Sequence, residues 1–115
     1  MANTFKQISK AGVTSSDVIY TVAGSTTTVV LGLIIGNTQS AEITVTLTLS
    51  TDTANRSGAN NEDNQPVELL TSTTIPANSS LELLAGNKIV LETTDVINLT
   101  ASAAADISIS VMEIT

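Results

Sequence analysis

At 115 residues, with 42% hydrophobic residues and no cysteine, the chain can bury one core without staples and is expected to form a single domain, 1–115. Its net charge of −7, with only Lys6, Lys10, Arg56 and Lys88 positive, repels phosphate backbones and argues against nucleic-acid binding by counterion release. Aromatics make up 2% and His is absent, so the core must come from Val, Ile, Leu and Ala, and most general-base, thiolate, zinc and haem chemistry is excluded.

The opening Met1-Ala2-Asn3-Thr4-Phe5-Lys6 is not followed by the apolar stretch of a secretory signal, which predicts synthesis in the cytoplasm without export. Short strands are expected at 5–9 and 17–22, closed by the turn Ala23-Gly24-Ser25. Val29-Val30-Leu31-Gly32-Leu33-Ile34-Ile35 is apolar on both faces. It reads as a central strand covered on both sides, or as one crossing between sheets. Gly32 within it signals a bulge or a close backbone approach. The run is far too short to cross a bilayer as a helix. Gly36-Asn37-Thr38-Gln39-Ser40 is a turn signal, and the pattern predicts a hairpin of 28–36 with 41–50.

From Ala41 to Leu49 the chain alternates strictly, with Ile43, Val45, Leu47 and Leu49 on one face and Glu42, Thr44, Thr46 and Thr48 on the other. The first set is expected in the core. The threonine set is either the wet side of a sheet or a weakly charged packing surface for another subunit. Residues 51–66 contain no large apolar side chain and are expected to form a long surface loop. Further strands are expected at 67–70, 80–84, 88–92 and 96–101, separated by Ile75-Pro76-Ala77-Asn78 and Ala85-Gly86-Asn87. The alanine-rich stretch 101–105 reads as a turn. Alternation resumes with Ile107, Ile109 and Val111, then slips at Met112 and Ile114. A bulge near Val111-Met112 would explain the slip, and so would cover from a neighbouring subunit. The expected fold is all-β, a single antiparallel β-sandwich, jelly-roll-like, of about eight strands.

Chemistry is sparse. No Gly-rich phosphate loop precedes a helix, and Asp and Glu total 11, mostly placed singly. The one acidic cluster, Asp52 with Glu62, Asp63 and neighbouring Asn residues, lacks the spacing of the twelve-residue calcium loop and reads as a solvated loop. Three Asn-x-Ser/Thr triplets, at Asn55, Asn78 and Asn98, are expected by chance in a chain so rich in Ser and Thr. No catalytic residue, metal ligand or cofactor is expected.

A resemblance adds to this reading. The opening segment, Thr28-Val29-Val30-Leu31-Gly32-Leu33 with Gly36-Asn37-Thr38, Ile75-Pro76-Ala77, Lys88-Ile89-Val90-Leu91-Glu92 and the terminal Ser110-Val111-Met112-Glu113-Ile114 resemble small virion proteins of tailed phages, those of marine and cyanobacterial hosts among them. It covers most of the chain except 51–66 and rests on fold-forming residues, so it carries over no site. It implies a β-sandwich structural component of a virion, made in the host cytoplasm. A capsid decoration or cement protein leads, and a neck or tail accessory is close behind. A carbohydrate-binding module on a fibre is a third reading, and Phe5 and Tyr20 are its only aromatic material. The partners implied are the major capsid protein or neck and tail proteins, with no membrane. A closed homo-oligomer such as a trimer is expected, with Thr44, Thr46, Thr48, Met112 and Ile114 as subunit-contact residues.

Overall fold

The computed structural model describes residues 2–51, 66–84 and 87–115. The described residues are all-β: β1 (Asn3–Thr21), β2 (Thr27–Asn37), β3 (Ile43–Ser50), β4 (Val67–Ile75), β5 (Ser80–Glu82), β6 (Ile89–Leu91) and β7 (Val96–Ile114). Period-two burial explains why they form. In β7, Ile97, Leu99, Ala101, Ala105, Ile107, Ile109 and Val111 share one parity and are buried. In β3, Ile43, Val45 and Leu47 are buried, with Leu49 half-buried at the sheet's end. This is the face expected from the alternation.

β7 runs through the middle of the sheet. β1 lies antiparallel along its whole length, from Asn3↔Ile114 to Thr21↔Val96. On the other side β2 and β3 lie end to end, β2 against residues 105–114 and β3 against 96–101. β4 pairs with β3, and β5 and β6 pair with β2. The pairings Asn3↔Ile114, Thr28↔Leu91, Ile35↔Leu81, Ile43↔Ile75 and Leu49↔Val67 follow one continuous antiparallel register. The described strands therefore pair as a single long hairpin whose last pairing is Leu49↔Val67. Folding it back so that β7 also meets β2 and β3 rolls the ribbon into a jelly roll around one core.

Several sequence expectations are corrected. The strands expected at 5–9 and 17–22 are one strand, as are those at 96–101 and 107–111, and the described residues form seven strands in all. The alanines of 101–105 are not a turn. They lie inside β7, where the ribbon bends and pairing is interrupted on both sides: Val13↔Ala105 is followed by Ser15↔Ala101 in β1, and β2 ends at Asn37↔Ala105 where β3 pairs from Val45↔Ala101. Small side chains suit a strand that must bend there. Gly12, with φ 68, and Ser15, with φ 47, turn β1 around the same corner. β2 and β3 do not form a hairpin. Their turn signal carries the chain from one half of the roll to the other. The bulge expected at Val111-Met112 is on the opposite strand, between Val30 and Gly32. The β7 parity never slips: Glu113 takes the inward position, and Met112 and Ile114 point outward.

Asn37 pins the corner between the halves. It is buried, and its Nδ2 donates to the carbonyls of Ala41 (2.9 Å), Ile75 (3.0 Å) and Pro76 (3.0 Å). Its Oδ1 accepts from the Gln39 amide at 2.8 Å, and its own amide donates to the Ser79 carbonyl. One side chain thereby satisfies backbone groups from the two connections that step between halves.

Candidate subunit interface

Two outward faces follow from the strand parity. On the β3–β4 half the outward residues are mostly hydroxyls and amides, with Val18 and Glu68 in the row of Asn98 and Thr48. Thr44 is exposed, while Thr46 and Thr48 are half-buried between Thr100 and Asn98 of β7 and the residues of β4. Thr46 Oγ1 accepts from the Ser72 amide, and the Thr44 amide donates to Ser102 Oγ. Ser16 Oγ donates to Asn98 Oδ1. Part of the threonine row is thus committed to bonds within the sheet.

The β2 half is different. Directly paired outward positions place Phe5, Met112, Val29 and Val90 in one row across β1, β7, β2 and β6. At about 4.8 Å per strand the row spans about 14 Å. Phe5 is 72% exposed and Val90 59%, with Met112 and Val29 half-buried between them. The next outward row is Gln7, Ser110 and Gly32, and the one after is Ser9, Ser108 and Ile34. That third row opens into a shallow concavity of about 380 Å³ whose lining includes Ser9, Ile34, Gly36 and Ser108, with the charged Lys10 and Asp106. Gly36 and the two serines leave the space, and Ile34 gives it an apolar wall.

The inward end of β7 carries a charge network on the core side of these rows. Tyr20, standing on the β3 half, reaches across so that its hydroxyl donates to Glu113 Oε2 at 2.6 Å and sits 2.8 Å from Thr28 Oγ1. Lys6 Nζ pairs with the other Glu113 oxygen at 2.9 Å. Burial, reinforced by the neighbouring carboxylate, pushes the Tyr20 hydroxyl up to about 12. The hydrogen bonds from Tyr20 and then Lys6 hold Glu113 below the usual carboxylate range. The arrangement is a clasp between the halves of the roll. It explains the Met112 phase break seen in sequence, because a charged residue replaced an apolar one at an inward position.

The residues expected at a subunit contact therefore separate. Thr44, Thr46 and Thr48 lie on one outward face, and Met112 and Ile114 on the other, beside Phe5 and Val29. Sequence reasoning missed Phe5, Val29 and Val90 as members of that surface. A lone aromatic in a strand of polar residues was a usable signal, but its lateral neighbours come from pairing that no local pattern shows. Among the described residues no group of three or more acidic side chains is placed to hold a metal ion. The acidic cluster of Asp52, Glu62 and Asp63 lies outside the described residues.

No protein-family model matches the sequence, and no curated protein matches it. Similar folds occur among solved structures. One is a chain of the Bacillus endospore appendages, which form disulfide-linked pili: TM-score 0.51 at 14% identity, covering 99% of this chain and 87% of that one. Another is the VP2 subviral particle of infectious bursal disease virus: TM-score 0.54 at 10% identity, covering 97% of this chain and 32% of that one. This chain thus spans about a third of the viral protein. At these identities the likeness is one of fold.

Proposed function

We propose that this protein is a structural subunit of a tailed-phage virion, attached to the capsid surface as a decoration or cement protein. The observation that carries the reading is the outward apolar row of Phe5, Met112, Val29 and Val90 on a small jelly roll. A contiguous apolar strip on an acidic, otherwise hydroxyl-covered surface is a protein–protein contact by its chemistry. The fold supports the reading, since similar folds occur in a virus particle and in a pilus. The resemblance of the sequence to tailed-phage virion proteins supplies the choice of particle.

A neck or tail accessory role is the second reading. It is favoured by the near-complete mutual coverage with the chain of the pilus-forming appendages, against about a third of the viral chain. A sugar-binding module is disfavoured by the burial of Tyr20, which leaves Phe5 as the exposed aromatic. The test is quantitative mass spectrometry of purified particles, followed by labelling of this chain in a particle reconstruction. Many copies distributed over the shell support decoration. A small fixed number at one vertex supports the neck or tail. Absence from mature particles overturns the structural reading.

A further inference from the structure

The apolar row and the concavity stand on one face, in a relation that a two-fold axis exchanges. Along β1, Phe5 and Ser9 lie two residues to either side of Gln7, so ridge and concavity are about 13 Å apart at strand spacing. The row between them is Gln7, Ser110 and Gly32, which is uncharged, small toward β2, and open above Gly32. A two-fold axis lying in the interface along this middle row brings Phe5 of one copy over Ser9 of the other, and Met112 over Ser108. Each copy then supplies one ridge and one concavity, which is the self-complementarity an isologous interface requires.

We propose that this face joins two copies of this chain, with Phe5 of each seated in the concavity beside Ser9, Ser108 and Ile34 of the other. Charge supports the choice of occupant. Two copies at −7 each repel, and this face is where they can approach. The Phe5 and Gln7 rows carry no charge, while the Ser9 row ends on Glu82 of β5, which pairs with Ile34. Lys10 and Asp106 line the concavity with opposite charges, each already engaged within its own copy: Lys10 pairs with Asp17 at 2.8 Å, and the Asp106 carboxylate accepts from the Gly12 amide. The large exposed aromatic has the character of an interface anchor, and the serines around the concavity that of its tolerant rim. The proposal uses the row that carries the particle reading but concerns the free protein, so sedimentation tests the dimer and mass spectrometry of particles tests the assignment separately.

The chain has no Trp, so Phe5→Trp introduces a single tryptophan at the ridge, which excitation at about 295 nm reads apart from Tyr20. The experiment records its emission maximum and the sedimentation of the same protein over a range of concentrations. The expected result is a dimer whose formation moves the emission to the blue in step with sedimentation. Ser9→Glu placed in the same chain should weaken the dimer at least about tenfold and leave the emission red. Phe5→Ser in the wild-type background should do the same to sedimentation, and its unfolding midpoint should match the wild type's at concentrations where both are monomeric, because Phe5 packs on little within one copy. A chain that stays monomeric with red emission at every concentration overturns the proposal. So does a dimer in which the tryptophan stays exposed, or one that Phe5→Ser and Ser9→Glu leave intact.

Discussion

Asn37→Ala tests whether the corner of the roll depends on one amide. The two N–H groups of Asn37 serve three carbonyls, those of Ala41, Ile75 and Pro76, and its oxygen serves the Gln39 amide. Removing the side chain leaves the Ile75 carbonyl buried without that donor, and the other two partly so. An unsatisfied buried polar group costs about 1–3 kcal/mol, and the partly buried bonds are worth about 1 kcal/mol each. The expected loss is about 3–5 kcal/mol, a large share of the about 5–15 kcal/mol that holds a typical domain. Urea unfolding followed by circular dichroism measures it. Asn37→Asp sharpens the test because it keeps the shape and removes the donors. Its carboxylate would face the same carbonyl oxygens, so it should be at least as damaging as alanine at pH 7 and recover part of the loss in acid, where a protonated carboxyl can donate. A loss below about 1 kcal/mol for Asn37→Ala would refute the reasoning, because it would mean that water replaces the amide without cost.

Leu47 is fully buried in the middle of β3, so Leu47→Ala should cost about 2–5 kcal/mol in the same assay, while Thr44→Ala, on the exposed face, should change stability by less than about 0.5 kcal/mol. Tyr20→Phe removes a hydrogen bond to a carboxylate and should cost about 1.5–3 kcal/mol. The pH dependence follows from the same clasp. Tyr20 has its folded value raised from 10.0 to about 12, so its contribution is complete below pH 10 and is lost as pH rises toward 12. Glu113 is lowered from 4.5, so its contribution is present above that value and is lost as pH falls through the depressed one. Thermal melts from pH 7 to 12 should show an alkaline fall that Tyr20→Phe flattens, and an unchanged slope in that variant would remove Tyr20 as its source.

The strands with strong local alternation were legible because period two needs no knowledge of partners. β3 is the clearest case, and the ends of β7 are similar. The middle of β7 was misread because alanine has poor strand propensity and no bulk, so 101–105 resembled punctuation. Yet Ala101 and Ala105 continue the buried parity of Leu99 and Ile107, and bulk is what a bending strand must lack. The hairpin expected of β2 and β3 failed for a different reason. A turn signal fixes a local change of direction, whereas pairing partners are chosen by the whole ribbon, and here both strands pair with β7. The interface row was illegible for the same cause: Phe5, Met112, Val29 and Val90 are separated by tens of residues and become neighbours only through register. Tyr20 was seen only as one of two aromatics, since its bond to Glu113 spans the length of the chain.

A protein that assembles through a face must also avoid assembling through its edges. β1 is paired on one side by β7, and no other described strand pairs with it, which leaves a 19-residue edge. Such an edge invites a strand from another copy. Two features blunt it. Its register with β7 shifts between Lys10 and Val13, Val13 and Ser15, and Val18 and Tyr20, so no long flat stretch is offered. Lys6 and Lys10 pair with Val111 and Ile107 of β7, which places lysines on the core side of an edge strand. A further strand docked there would have to cover those charges, and burying a charge without a new partner is costly. Lys6→Val with Lys10→Val should remove this protection. The folded monomer should tolerate the change, since the Lys10–Asp17 pair is partly exposed and Glu113 keeps its bond from Tyr20. In sedimentation the double variant should pass from small oligomers into large, polydisperse species, while Phe5→Ser in the same background should not prevent this, because edge and face act independently. If the double variant keeps the wild-type distribution, the lysines do not guard the edge and the bulged register alone must do so.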